Sequence, residues 1–354
     1  MLRLRLAPLL VSALVLGSCA ATFPRNPSPV RLYGYHAYWM GDAWRPVAAD
    51  LDGLFYFEQR ITADGSVLPI PEARLTWEAF ARSARAEGRS ASATLTLFDK
   101  ATFEALFTSS SATERLLAQV VDIARLGNGV CLDVELFEPV SPASRAGYAT
   151  FTERLRARMP RGTRLSVFLP AFDAADAFDE ARLAAAADLA IVQGYDLHWV
   201  TGPNAGPVAP TRGNGASWDA ILARYDAFGV PRSKVIMGTP LYGYEWPTES
   251  AAPGARTRGP GKTITLSPVS ATVLPDIRTA ALDRVARHGL RRDRASRSPY
   301  YVYRDSTGYH QGWFEDAESI AEKVRYVREH SLGGLVFFPL GYDDGTLVRA
   351  ARRG

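Results

Sequence analysis

"NGVCLDVELFEP", residues 128–139, reads as a buried β-strand, yet it carries two carboxylates, Asp133 and Glu135. Side chains alternate across a strand, so Cys131, Asp133 and Glu135 share one face while Val130, Leu132 and Val134 share the other. Such a strand suits the wall of a parallel barrel. The valine and leucine face packs under helices, and the other face points inward with Glu135 nearest the open mouth. Burying two carboxylates without partners costs several kcal/mol. Like charges this close push one pKa upward and leave one group protonated. A protonated carboxyl beside an ionised one is what acid–base chemistry at a glycosidic bond requires. The alternative is a pair of ionic staples to buried arginines.

Working outward, seven more short apolar or β-branched segments keep the same rhythm: "RLYGYHAYW", "LDGLFYFEQR", "SASATLTLFD", "RLSVFLPAF", "DLAIVQGYDLHW", "KVIMGTPLYGYEW" and "GGLVFFPLGYDD". Amphipathic helical patterns such as "TWEAFARSARAEG" and "SATERLLAQVVDIARLG" separate most of them. Strands alternating with helices predict a parallel sheet, and eight such units predict an α/β fold of the (β/α)8 TIM barrel type. Polar and aromatic residues collect at the ends of several strands, where barrel sites form. One interval is too long for a βα unit. Residues of about 247–312 hold a Gly/Pro-rich start, a helix ("DIRTAALDRVARHG") and a hairpin ("PYYVYRDSTGYHQGWFED"). They predict a small α+β insertion between strands seven and eight, forming one wall of a cleft.

The chain has 354 residues, 47% of them hydrophobic, enough for one large barrel core. Its 41 Lys+Arg nearly balance 37 Asp+Glu. No basic run is interleaved with aromatics, so the arginines predict a solvated surface and no nucleic-acid partner. Residues 1–19 pair two arginines with a short apolar run that ends in small residues, as a signal peptide does. The ending Leu16-Gly17-Ser18-Cys19 resembles the bacterial lipobox, which implies a lipid on Cys19, a membrane partner and an envelope location, the outer membrane where the cell has one. Residues 20–30 are small, polar and Pro-rich, a tether. The barrel should then occupy 31–354. Cys131 is the only other cysteine, so no disulfide is expected.

The motifs on these strands resemble glycoside hydrolase family 18, the chitinase-like hydrolases. "NGVCLDVE" is similar to the family's strand-four signature Asp-Gly-x-Asp-x-Asp-x-Glu, "VQGYD" to its Met-x-Tyr-Asp motif, and "IMGTPLYGYEW" to its Gly-x-Pro-x-Tyr-Gly-x-x-Trp motif. "LYGYHAYW" looks like its first strand, and "GWFEDAESIAEKVRYVREHSLGGLVFF" like its last helix and strand. The resemblance covers most of the chain after the leader, and the C-terminal part looks closer to the spore-cortex-lytic, peptidoglycan-type branch. It implies a retaining glycosidase without cofactor or metal. In that scheme the substrate's own 2-acetamido group is the nucleophile. Glu135 matches the general acid. Asp133 matches the carboxylate that orients the acetamido group, Tyr195 the tyrosine that binds its oxygen, and Asp196 the acidic neighbour at the subsite. The product class implied is cleavage of β-1,4 bonds in N-acetylglucosamine-containing glycans, by a monomer.

Four positions depart from the pattern. The first signature Asp is Asn128 and the middle Asp is Cys131, so the usual proton-sharing pair is missing. The strand-six Met is Gln193, and the strand-eight Trp is Phe338. Retention of Asp133, Glu135 and Tyr195 favours an enzyme, whereas Cys131 and Phe338 favour a lectin-like protein using the same cleft. Tyr35, Tyr38, Trp39 and Phe57 are either sugar platforms or barrel core. Tyr242 and Trp246 match a cleft-lining motif, although Trp246 could instead anchor the insertion. Trp199 could wall a subsite. His36, His198 and His310 have no metal-ligand spacing, and the sequence shows no phosphate-binding Gly loop or Ser nucleophile elbow.

Overall fold

A computed structural model describes residues 29–213, 215–269 and 273–354. The leader, Cys19 and most of the tether lie outside these residues. All eight expected segments form strands. In chain order they are Leu32–Ala37, Gly53–Ile61, Ala91–Leu97, Gly129–Val134, Arg164–Leu169, Leu189–Val192, Val235–Pro240 and Gly334–Phe338. They pair in parallel, and strand one bonds to both strand two and strand eight, which closes the barrel. The (β/α)8 expectation is met.

The connecting helices begin where side chains satisfy their free amides. Thr76, Asp99, Ser109, Ser141, Asp179 and Ser217 each accept a bond from the backbone N–H three residues on. Asp316 and Ser319 cap the helix Ala317–Glu329 reciprocally. The alternation read in strand four sorts its side chains as expected. Val130, Leu132 and Val134 join the large core between barrel and helices. Cys131 joins a separate core inside the barrel with Tyr33, Tyr35, Phe55, Phe168 and Ile191.

The insertion is a five-stranded antiparallel sheet in the order Lys262–Ile264, Gly243–Thr248, Gly308–Trp313, Pro299–Asp305, Arg291–Arg292, with the helix Ala281–His288. It starts at Gly243, ahead of the expected residue 247. The "YGYEW" stretch had been assigned to barrel strand seven, but the chain leaves the barrel after Pro240. Gly243 then runs so close to strand Gly308–Trp313 that a Cβ there would lie 2.1 Å from the Trp313 carbonyl oxygen. The sheet has its own aromatic core, with Tyr300 stacked on Trp313 at 4.3 Å.

Candidate active site

The C-terminal ends of the strands surround a cavity of about 160 Å3 lined by Tyr35, Phe57, Asp133, Glu135, Phe168, Gln193, Tyr195, Asp196, Tyr242 and Phe338. That is room for about five water molecules, which suits a small polar substituent at the base of an open mouth. Asp133 sits near the end of strand four and is buried, and its Oδ1 has no hydrogen-bond partner among the described residues. Glu135 follows the strand and is half-buried, its backbone N–H donating to the Leu97 carbonyl.

No arginine or lysine neutralises the pair among the described residues, so the staple reading is set aside. Burial pushes the Asp133 carboxyl well above the usual carboxylate range, and the Glu135 and Glu58 charges push it further. Glu135 is pushed up to about 7, by burial first and then by Asp196 and Glu58. Both groups are therefore biased toward their protonated forms near neutrality. Asp196 stands across the mouth at φ 55°, a left-handed conformation that Asp tolerates. Burial raises its carboxyl, and two tyrosine hydroxyls partly offset this. Tyr242 donates to both carboxylate oxygens at 3.0 Å, and Tyr244 to Oδ1 at 2.9 Å.

Tyr195 lies between these carboxylates, and burial with the nearby Glu135 charge holds its hydroxyl in the protonated form. Its ring fits because residue 238 is glycine: a Cβ there would sit 2.8 Å from the Tyr195 ring. Phe338 lies parallel to Tyr195 with centroids 6.0 Å apart, and meets Tyr35 and Phe57 edge-on. An apolar floor thus faces the carboxylates.

The remaining expected residues fall outside the cavity. Trp39 is half-buried and braces Phe57 edge-on at 6.1 Å, and Tyr38 packs edge-on against Trp39. Trp246 is fully buried beneath the small sheet, its indole N–H donating to the Val200 carbonyl. Expected as a substrate contact, it anchors the insertion instead, because its strand belongs to the second sheet and not to the barrel.

Sequence reasoning missed Phe168, Glu58 and Tyr244. Phe168 was legible, since it shares the inward face of strand five with Ser166. Glu58 and Tyr244 carry no local signal. Also missed were exposed aromatics on successive loops of the mouth: Phe98, Phe137 and Phe172 follow strands three, four and five, and join Trp199, named from the sequence, which follows strand six. Phe98, Lys100, Leu136 and Phe137 line a groove beside Glu135.

The family model for glycosyl hydrolases family 18 matches residues 97–343. The chain belongs to this family. It is 26% identical over 215 residues to the cortical fragment-lytic enzyme of Bacillus anthracis, covering 58% of this chain and 45% of that protein. The chain spans about half the length of these curated relatives, the cortical fragment-lytic enzymes of Bacillus anthracis, Bacillus cereus and Bacillus subtilis. Among solved structures, the spore cortex-lytic enzyme SleL of Bacillus cereus aligns with a TM-score of 0.73 at 22% identity, over 91% of this chain and 74% of that one. A family 18 chitinase of Cycas revoluta in complex with allosamidin aligns with a TM-score of 0.77 at 20% identity, over 91% and 99%. These two share the fold.

Proposed function

We propose that this family 18 glycoside hydrolase cleaves β-1,4 bonds on the reducing side of N-acetylglucosamine-type sugars, in peptidoglycan or chitin-derived oligosaccharides, with retention. The observation that carries this reading is that the buried carboxyl Asp133 and the half-buried Glu135 line one small cavity with Tyr195 and Asp196. Glu135 is the general acid. With a pKa near 7 it holds a proton to give and can take one back from water later. The two carboxylates come from one face of one strand, so they cannot flank a sugar from opposite sides as a protein nucleophile and acid do. The acetamido carbonyl is the nucleophile, closing on the anomeric carbon as the glycosidic bond breaks and Glu135 protonates the leaving oxygen. Asp133 accepts the acetamido N–H and balances the positive charge of the cyclic intermediate. The Tyr195 hydroxyl donates to the acetamido oxygen, and Phe338 supports the ring. Asp196, tied down by Tyr242 and Tyr244, lines the same subsite.

Similarity to the cortical fragment-lytic enzyme favours peptidoglycan fragments as substrate. The mature protein is a monomer held to the envelope by lipid on Cys19. A digest of purified peptidoglycan and of chitin oligosaccharides, read by mass spectrometry, identifies the bond. A thiazoline analogue of N-acetylglucosamine should inhibit, and efficient cleavage of a glycan lacking the N-acetyl group would reject substrate assistance. A second reading, a glycan-binding protein of low activity, is favoured by one observation: Cys131 stands where a proton-sharing carboxyl is expected and leaves Asp133 Oδ1 without a partner.

A further inference from the structure

Six arginines that look scattered in the sequence lie at one end of the barrel. Helices in a (β/α)8 fold run opposite to the strands, so their C-termini lie on the face where strands begin, away from the catalytic pair. Cations favour helix C-termini. Arg85 and Arg353 occupy last turns, Arg31 and Arg89 precede strands one and three, and Arg161 and Arg164 lead into strand five.

None of these six has a carboxylate within ion-pairing distance among the described residues. Arg31 donates to the Gly333 and Ser233 carbonyls, Arg85 to that of Leu126, and Arg89 to those of Leu51 and Glu87. Arg164 lies over the Tyr33 ring. By contrast, four carboxylates on this face are ion-paired: Asp52 with Arg352, Asp122 with Arg125, Asp188 with Arg156 and Asp226 with Arg232. The face therefore carries a surplus of positive charge, while the opposite mouth holds Glu58, Asp133, Glu135 and Asp196. The first described residues, Pro29 to Arg31, enter strand one on this same basic face.

We infer that the strand-start face of the barrel docks on an anionic phospholipid surface and points the catalytic mouth away from it. Guanidinium groups held by backbone carbonyls keep their charge with no internal counter-ion. Several such groups on one face match lipid phosphates. The docking concerns the protein surface alone and does not depend on lipid at Cys19 or on the proposed cleavage.

The barrel closes between Leu32 and Leu335, so a chain starting at residue 29 contains the complete barrel. That soluble chain is sedimented with vesicles of phosphatidylcholine, with and without roughly a third phosphatidylglycerol. It should bind the anionic vesicles only and be released by salt. Each basic side chain near an anionic surface contributes about a five-fold factor in partitioning. Arg85→Glu/Arg161→Glu/Arg353→Glu should lower binding by about a hundred-fold or more while cleaving soluble oligosaccharide like the parent. If that triple variant misfolds, the three Arg→Gln changes should still give a clear loss. Equal binding to neutral vesicles, no binding to either, or full binding by a folded triple variant overturns the proposal. So does binding to a soluble polyanion without binding to vesicles.

Discussion

The Tyr35 hydroxyl lies 3.6 Å from the Cys131 thiol inside the barrel, two residues below Asp133 on the same strand. The thiol is fully buried, and burial together with the Asp133 charge pushes its pKa upward, so it stays neutral. Asp133 therefore has a neutral floor, and Glu135 and Glu58 are the charges that raise its pKa. Cys131→Asp should place a second carboxyl there that shares a proton with Asp133. Turnover should rise or its pH range widen, at a stability cost of about 1–3 kcal/mol from the extra buried polar group. pH–rate profiles and melting temperatures of both proteins test this. A variant that melts lower with no gain in activity marks Cys131 as fitted to a site that works without the relay.

Glu135→Gln keeps shape and hydrogen bonding but removes the transferable proton. Activity should fall by roughly 10²–10⁴, while glycan binding measured by calorimetry persists. Unchanged turnover would assign the acid to another group.

The raised Glu135 pKa also fixes a stability trend. Its folded value is about 7, against about 4.3 for an unperturbed Glu. The folded state binds the extra proton across that window, so this group lowers stability progressively as pH rises from the unfolded to the folded value. Glu135→Gln should melt like wild type near pH 4 and higher than wild type above pH 7. Over the same rise, wild-type kcat/KM should decline as the acid loses its proton. A melting difference that does not change with pH contradicts the assignment.

Lys323 and Glu315 form a fully buried pair at 2.8 Å, with the Ser319 hydroxyl donating to the same carboxylate. Removing one partner strands a buried charge. Lys323→Met should destabilise by about 3–5 kcal/mol, visible in denaturant melts, and Lys323→Met/Glu315→Met should recover much of the loss. An equal loss in both variants would show that packing, not charge, is at stake.

Cys19→Ser should move the protein from the membrane to the soluble fraction of cells, since one acyl-bearing residue is the anchor proposed. Fractionation that does not change rules out lipid at Cys19.

The sequence by itself determined much of the architecture. Period-two alternation in "VCLDVEL" put Cys131, Asp133 and Glu135 on one face, because a strand's pleat is a local property. The spacing of eight such segments predicted the closed barrel, and the motifs around Glu135, Tyr195 and Tyr242 predicted the lining of one cavity. Tertiary structure decided what those residues meet. Glu58 adds a third charge to the pair, and Tyr244 holds Asp196 from a different sheet. Trp246 lies under that sheet and not in the cleft, because the chain leaves the barrel after Pro240 and not after the tryptophan. Six arginines spread along the sequence share one face because they lie at helix C-termini or just before barrel strands, which βα connections bring to the same end. Such neighbours depend on barrel closure and on the direction of each connection, both set by contacts between residues far apart in the chain.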